Sequence, residues 1–497
     1  MSPTEIPKGE MSFWAKYFYT KVCLEMGTCV YVGVQYTKLP ELPELYAALK
    51  RLVDENPPLG LNIFAAGVED MNCNIVQTPN GPVKPDPPQN LHAAQLKEVD
   101  FSTVVENLTN FEIHDFETVK YILQRKFEYG SFTKPLWKVT LLKDNWLIFS
   151  YDHAFIDGMS GANIQKKLVV ILNDMNKNNG SYSGIDSTYK ITSGSPDDNF
   201  GIINIYEKPE NTWGFATRNL LDSKIYPVLK SSAKALVQKI GLNPTWLGRF
   251  NEFECNAKYV VQKNRFIDNF QNVSITAKDV EKLIGIGKKH GNVGFNSLMG
   301  ALLSVSAKNT FVLEEQSVPF MFLVSERLKR KLDPESIGIL IKAEEETTPI
   351  LSNALFDSVG LNHTEFWKFA SQVHADMTRA IDTGNGLEHF NMVGLQDLVT
   401  KVKAQEGSSP HFLFCFSNLS LQFKEKRFKE GNGLKYAIKD AVFNQSQVYA
   451  DYFTVSSIAT PKGGFNMHMV YQDEVKKETE MLLANFEKLY KELINSV

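Results

Sequence analysis

The sequence predicts an α/β protein, of the mixed α+β kind, made of two halves of similar size joined by a crossover. Three observations carry that prediction. Helix-period and strand-period apolar patterns alternate through the first 177 residues. A passage without periodicity follows, with residues 178–215 rich in Gly, Ser, Asn, Asp and Pro, and 216–255 a mixed stretch holding Trp246. A second alternation then runs to the end. The boundaries expected on this basis are a first half at 1–210, a crossover at 211–255 and a second half at 256–497. A chain of 497 residues has ample material for two cores.

The elements follow in order. Residues 11–24 carry Phe13, Trp14, Tyr17, Phe18 and Val22 at helical spacing, which predicts an amphipathic helix. "CVYVGVQYT" alternates and is β-branched, as a strand does. "PELPELYAALKRLVDENPP" reads as a helix, with Pro43 near its first turn and Pro57-Pro58 as its stop. "LGLNIFAAGV" is a strand, Thr118 to Phe127 a short helix, and "PLWKVTLL" and "WLIFSYDH" a hairpin across "KDN". "GANIQKKLVVILNDMNK" closes the first pattern as a helix. The second pattern offers strand "NVSITA", helix "KDVEKLIGIGKKHG", helix "FNSLMGALLSVSAKNTF", strand "PFMFLVSER" and a long helix near 364–383. Strands "FLFCFSNLSLQF", "YFTVSSIAT" and "FNMHMVYQ" come next, and helix "KETEMLLANFEKLYKELIN" ends the chain.

Composition excludes several classes. The net charge of -4 leaves no basic footprint for nucleic acid. Five scattered cysteines (Cys23, Cys29, Cys73, Cys255, Cys415) have no CxxC spacing and fit reduced thiols in a cytoplasmic compartment. The opening residues lack a basic region followed by an apolar one, so no signal peptide is expected. The uncharged windows Gly291–Ala307 and Gly407–Phe423 are too diluted by Asn, Ser, Gly or Pro to be membrane spans. Walker A, H-E-x-x-H, EF-hand and G-x-S-x-G patterns are absent, and no metal cluster is expected.

The chemistry concentrates at "FSYDHAFIDGMSG", Phe149 to Gly161. His153 stands at the end of a strand, where an imidazole is positioned and can take a proton near neutral pH. Asp157 lies four residues on, across a turn. A buried carboxylate there needs a cation partner, and would then brace the loop. Gly158 relieves the backbone where the chain bends and leaves room for the close approach of a substrate. A chance H-x-x-x-D-G is expected in about a few per cent of chains of this composition, so the pattern needs its neighbours.

Those neighbours are present. "FWAKYFYTKVCLEMGTCVYVGVQYT", "LYAALKRLVDENPPLGLNI", "PLWKVTLLKDNWLIFSYDHAFIDGMSG", "FLVSERLKRKLDP" and "FCFSNLS" occur in an order that resembles the fungal alcohol O-acetyltransferases. That family lies within the chloramphenicol-acetyltransferase-like superfamily. The plant signature D-F-G-W-G is absent. The resemblance implies two domains with mixed sheets and an active-site tunnel at their interface, entered by acetyl-CoA and the acceptor from opposite faces. It implies His153 as general base, Asp157 as a brace of the loop, and no permanently bound cofactor; by its place in "SER", Arg327 is the expected partner of Asp157, with a plain surface role as the alternative. Ser417 and Asn418 are the candidate oxyanion or substrate-binding donors, with satisfaction of a strand end as the competing role.

The activity implied is transfer of an acetyl group from acetyl-CoA to a small or medium-chain alcohol, giving acetate esters. N-acetylation of a long-chain or sphingoid-like amine is the alternative, and a silent lipid- or partner-binding relative a third. A monomer is expected. The resemblance also raises peripheral association with the endoplasmic reticulum or lipid droplets, through amphipathic residues 11–24 and 476–494.

Overall fold

The computed structural model describes residues 9, 11–27, 29–79, 81–177, 186–191, 202–203, 205, 260–265, 267–383, 397–431, 433–447 and 451–496. The crossover expected at 211–255, and Cys255, lie outside them. In chain order the first half gives α1 (Phe13–Cys23), β1 (Cys29–Tyr36), α2 (Leu42–Glu55), β2 (Leu61–Ala65), β3 (Val76–Thr78) and β4 (Gly81–Val83). It continues with β5 (Leu91–Gln95), β6 (Glu98–Asp100), α3 (Phe101–Val104), β7 (Val105–Leu108), α4 (Phe116–Leu123), β8 (Trp137–Leu142), β9 (Trp146–Asp152), α5 (Gly158–Lys177) and β10 (Thr188–Lys190). The second half begins with β11 (Asn269–Ile275), α6 (Ala277–Lys289), α7 (Phe295–Phe311), β12 (Pro319–Ser325), β13 (Ile341–Thr347) and α8 (His363–Thr383). It ends with α9 (Leu398–Lys403), β14 (Phe412–Leu421), β15 (Ile438–Gln445), β16 (Asp451–Ala459), β17 (Phe465–Tyr471) and α10 (Lys476–Asn495).

Two mixed sheets carry the fold. The first runs β15-β1-β9-β8-β7, and the second β11-β17-β16-β14-β12-β13. Pairs β7–β8, β12–β14 and β14–β16 are parallel, and the other neighbours are antiparallel. Each sheet has its own core. Trp137, Phe149 and Tyr151 belong to the first, where the indole of Trp137 donates to the Leu59 carbonyl at 2.8 Å. Phe366, Phe453 and Phe486 belong to the second. Burial of such rings is the main favourable contribution to each half.

Pairing does not respect the division at 256. β15 leaves the second half and lies antiparallel to β1, Val30 opposite Gln445 and Val34 opposite Ala441. Without it β1 would present an unpaired edge, although nearly all its residues are buried. "IKDAVFNQ" mixes Lys439 and Asp440 into the strand, so its sequence shows no clean alternation. β13, "IKAEEET", hides in the same way. Lys342 and Glu344 are both buried inside it and pair at 2.6 Å, so charge stands where apolar side chains would mark a strand.

The helices resolve two further expectations. α4 starts at Phe116 and not Thr118, because Asp115 caps it by accepting from the Thr118 amide at 3.1 Å. The apolar stripe of α10 (Leu482, Phe486, Leu489, Leu493) is buried in the second core, so packing accounts for its amphipathicity. Among the described residues no helix is long and apolar enough to cross a membrane. Cys23, Cys29, Cys73 and Cys415 are buried free thiols.

Candidate active site

The hairpin of β8 and β9 delivers its last residue, Asp152, into the interior. Its carboxylate accepts from the Tyr129 hydroxyl at 2.6 Å and from the Ala154 amide at 2.8 Å. Burial pushes this carboxyl up to about 6. The two bonds pin the turn on either side of His153. Sequence reasoning passed over Asp152, although a polar residue ending an apolar strand was the available signal.

His153 follows. Its ring lies flat on Phe18 of α1, with centroids 4.1 Å apart and planes 1° from parallel. Among the described residues Nδ1 is buried without a well-formed hydrogen bond, and the ring lines both cavities described below. Burial lowers the imidazole to about 4, with Lys21 adding to the shift and Asp157 opposing it. The ring is therefore neutral near pH 7.

Asp157 does not touch that ring. It is fully buried, and its carboxylate meets Arg327 in a two-pronged pair, Nη1 to Oδ2 and Nη2 to Oδ1, both at 2.9 Å. Oδ1 also accepts from the Ser160 amide at 2.7 Å, and so caps α5, while Oδ2 accepts from the Leu340 amide at 2.9 Å. Burial alone would raise this carboxyl, but Arg327 and the amides hold it below the usual carboxylate value. Arg327 is 1% exposed, which removes the surface alternative. Its remaining hydrogens reach the Ser160 hydroxyl at 2.8 Å and the Ser336 carbonyl at 3.1 Å. The pair thus joins the loop after β9 to the segment between β12 and β13, one from each half.

Gly158 needs correction. Its φ is not in the left-handed region, so no bend demands glycine. It opens α5 where a Cβ would lie 2.9 Å from Leu419 and 3.1 Å from Phe443, both side chains of the second half. Close approach is the reason.

Two cavities meet at His153. The smaller, about 220 Å³, is walled by Trp14, Tyr17 and Phe18 of α1 and by Phe412 of β14, with Lys21 and Lys401 among its polar groups. The larger, about 540 Å³, is lined by Gly158, Ser417, Asn418, Ser297 and His374. Both halves contribute to each. His153, Leu323, Ile341 and Gln445 line both and form the neck between them.

The two candidate donors differ. Ser417 is 5% exposed at the cavity wall. Asn418 gives a side-chain amide hydrogen to Asn296 at 2.5 Å and accepts from the Ser420 amide at 2.7 Å, so it also ties down the end of β14. His374 accompanies them on the wall and bonds Ser297 at 3.0 Å.

The family model for alcohol acetyltransferases matches residues 10–328 and 351–494. The chain belongs to that family. Acetyl transfer is the activity class this membership carries. The N-acetyltransferase SLI1 of Saccharomyces cerevisiae is 23% identical over 500 residues, covering 95% of this chain and 97% of that protein. Trichothecene 15-O-acetyltransferase of Fusarium sporotrichioides superposes with a TM-score of 0.60 at 12% identity, over 98% of this chain and 94% of that one. Polyketide synthase associated protein 5 of Mycobacterium tuberculosis gives 0.54 at 12% identity, over 98% and 99%. Likeness at this distance shows the shared fold, the chloramphenicol-acetyltransferase-like pair of mixed sheets.

Proposed function

We propose that the protein moves the acetyl group of acetyl-CoA to an alcohol hydroxyl, with His153 as general base and no acyl-enzyme. One observation carries the reading: a neutral imidazole stands where two cavities, each built from both halves, meet. The small aromatic cavity suits an apolar acceptor, and the larger suits the thioester arm. As the acceptor oxygen bonds to the carbonyl carbon, its proton passes to Nε2. The tetrahedral intermediate then collapses, the C–S bond breaks, and the proton leaves the imidazolium for the departing CoA sulfur. Holding both reactants in one enclosed channel supplies much of the rate, and the base adds about 10²–10⁴-fold.

Asp157 and Arg327 act in this reading only by holding the loop. The similarity to an N-acetyltransferase favours a second reading, in which the nucleophile is an amine that His153 deprotonates in the same way. Acetyl-CoA incubated with a panel of alcohols and long-chain amines distinguishes them. Ester formation with CoA release supports the first reading, and amide formation alone replaces it with the second. CoA release with neither class removes both.

A further inference from the structure

The oxyanion formed in acetyl transfer needs a hydrogen-bond donor already in place. Asn418 is partly committed to β14, and both it and Ser417 line only the larger cavity. The neck offers another group. Of the four side chains that line both cavities, Leu323 and Ile341 are aliphatic, which leaves Gln445 beside His153 as the bearer of polar hydrogens.

Topology brings Gln445 there. It is the last residue of β15, the strand that the second half lends to the first sheet. Val30 of β1 pairs with Gln445 on one side and with Tyr151 on the other, and His153 is two residues beyond Tyr151. The two side chains therefore leave the same end of one sheet, two strands apart, with the backbones of Gln445 and Tyr151 roughly 10 Å from each other and His153 just beyond. That separation admits one small reacting group between an imidazole and a carboxamide.

Its amide is also idle. Gln445 is 5% exposed, and among the described residues its buried Nε2 has no hydrogen-bond partner. A buried donor left in that state calls for a reason. Gln447, two residues on, shows the ordinary arrangement: its Nε2 donates to the Asp451 carbonyl at 2.9 Å and to the Tyr452 carbonyl at 3.3 Å. Among the described residues, nothing uses the corresponding hydrogens of Gln445.

Resting on the acetyl-transfer reading above, we infer that Gln445 donates its side-chain amide to the carbonyl oxygen of the thioester and holds the oxyanion. No atoms are exchanged with Gln445. The carbonyl C=O opens to C–O⁻ as the acceptor oxygen bonds to carbon, the amide hydrogen bond strengthens, and the C=O re-forms as the C–S bond breaks.

The test compares wild type, Gln445→Leu and Gln445→Asn with acetyl-CoA and an acceptor that wild type uses. Loss of an oxyanion donor predicts a fall in kcat of about 10²–10³-fold for Gln445→Leu, with KM for acetyl-CoA nearly unchanged and an unchanged melting temperature. Gln445→Asn, which keeps the amide but withdraws it, should fall between. Infrared spectra of bound acetyl-CoA labelled with ¹³C at the carbonyl give a readout independent of turnover. The carbonyl band should lie below its solution frequency in wild type and return toward it in Gln445→Leu. Wild-type kcat in the Leu variant, or an unmoved carbonyl band, overturns the inference while leaving His153 and acetyl transfer standing. Failure of wild type to transfer acetyl to any acceptor overturns both. If Gln445→Leu does not fold, the Asn variant and its carbonyl band decide.

Discussion

His153 and Asp157 sit four residues apart on one loop, and the fold treats them in opposite ways. The Asp157 carboxylate receives four hydrogen bonds, from Arg327 twice, Ser160 and Leu340. Among the described residues His153 has no well-formed hydrogen bond at its buried Nδ1, and its ring is held by stacking on Phe18. A group saturated with bonds is fixed but has nothing left for a substrate. A group fixed by packing keeps its lone pair. The difference shows how one short loop can be rigid at one end and reactive at the other.

The comparison breaks most visibly at its reactive end. His153→Ala should leave the fold intact, since the bonds of Asp152 and Asp157 hold the loop, and should lower acetyl transfer by about 10²–10⁴-fold. Turnover near wild type in a folded variant would remove His153 from the chemistry. At the saturated end, Asp157→Asn leaves the buried Arg327 without a counter-charge. It should cost about 3–5 kcal/mol of stability, read as a lower urea midpoint, together with activity. A variant with an unchanged urea midpoint and lost kcat would make Asp157 a chemical group and end the contrast.

The reactive loop was legible because its residues are contiguous and their neighbours come in a recognisable order. Even the distant Arg327 could be named, by its place in a segment of that order; the buried Asp157 by itself demanded only some cation. The neck was not legible. Gln445 lies on β15, whose Lys439 and Asp440 disguise the strand, and its importance comes from pairing with β1 roughly 400 residues earlier, counted from the register Val30 to Gln445. Gly158 was legible as a glycine that matters, but for a different reason. The Cβ it lacks would collide with Leu419 and Phe443, and no local rule about turns announces that contact. Local chemistry can be read along the chain; contacts between distant segments wait for the fold.

Gly158→Ala sharpens the comparison with a smaller effect. The new methyl would lie 2.9 Å from Leu419 and 3.1 Å from Phe443, so both must shift. Overpacking of this kind costs roughly 1–3 kcal/mol. Gly158 also lines the larger cavity, so KM for acetyl-CoA should rise more than kcat falls. Equal effects on a small and a large acyl donor would show that the residue serves packing alone.

The smallest effect is one of pH, and it separates the two residues by sign and window. Burial, aided by Lys21, lowers His153 to about 4, against roughly 6.5 for a free imidazole. A base works unprotonated, so kcat/KM should stay flat across the neutral range and fall only as the pH approaches 4. The unfolded chain takes up this proton near 6.5 whereas the folded chain resists it. Stability from His153 is therefore fully present above about 6.5 and declines as pH falls toward 4. Asp157 acts with the same sign in a more acid window, because Arg327, working against burial, holds its carboxyl below the usual value. Its contribution is present above the ordinary carboxylate range, near 3.9, and is lost as pH falls through the folded value. Urea midpoints of wild type and His153→Ala, compared at pH 7 and pH 5, isolate the first component: the variant should lose less stability over that interval. An acid limb of kcat/KM near 6.5, with equal losses in the two proteins, would mean that the working imidazole is as well solvated as a free one, and the contrast between a packed base and a bonded brace would fail.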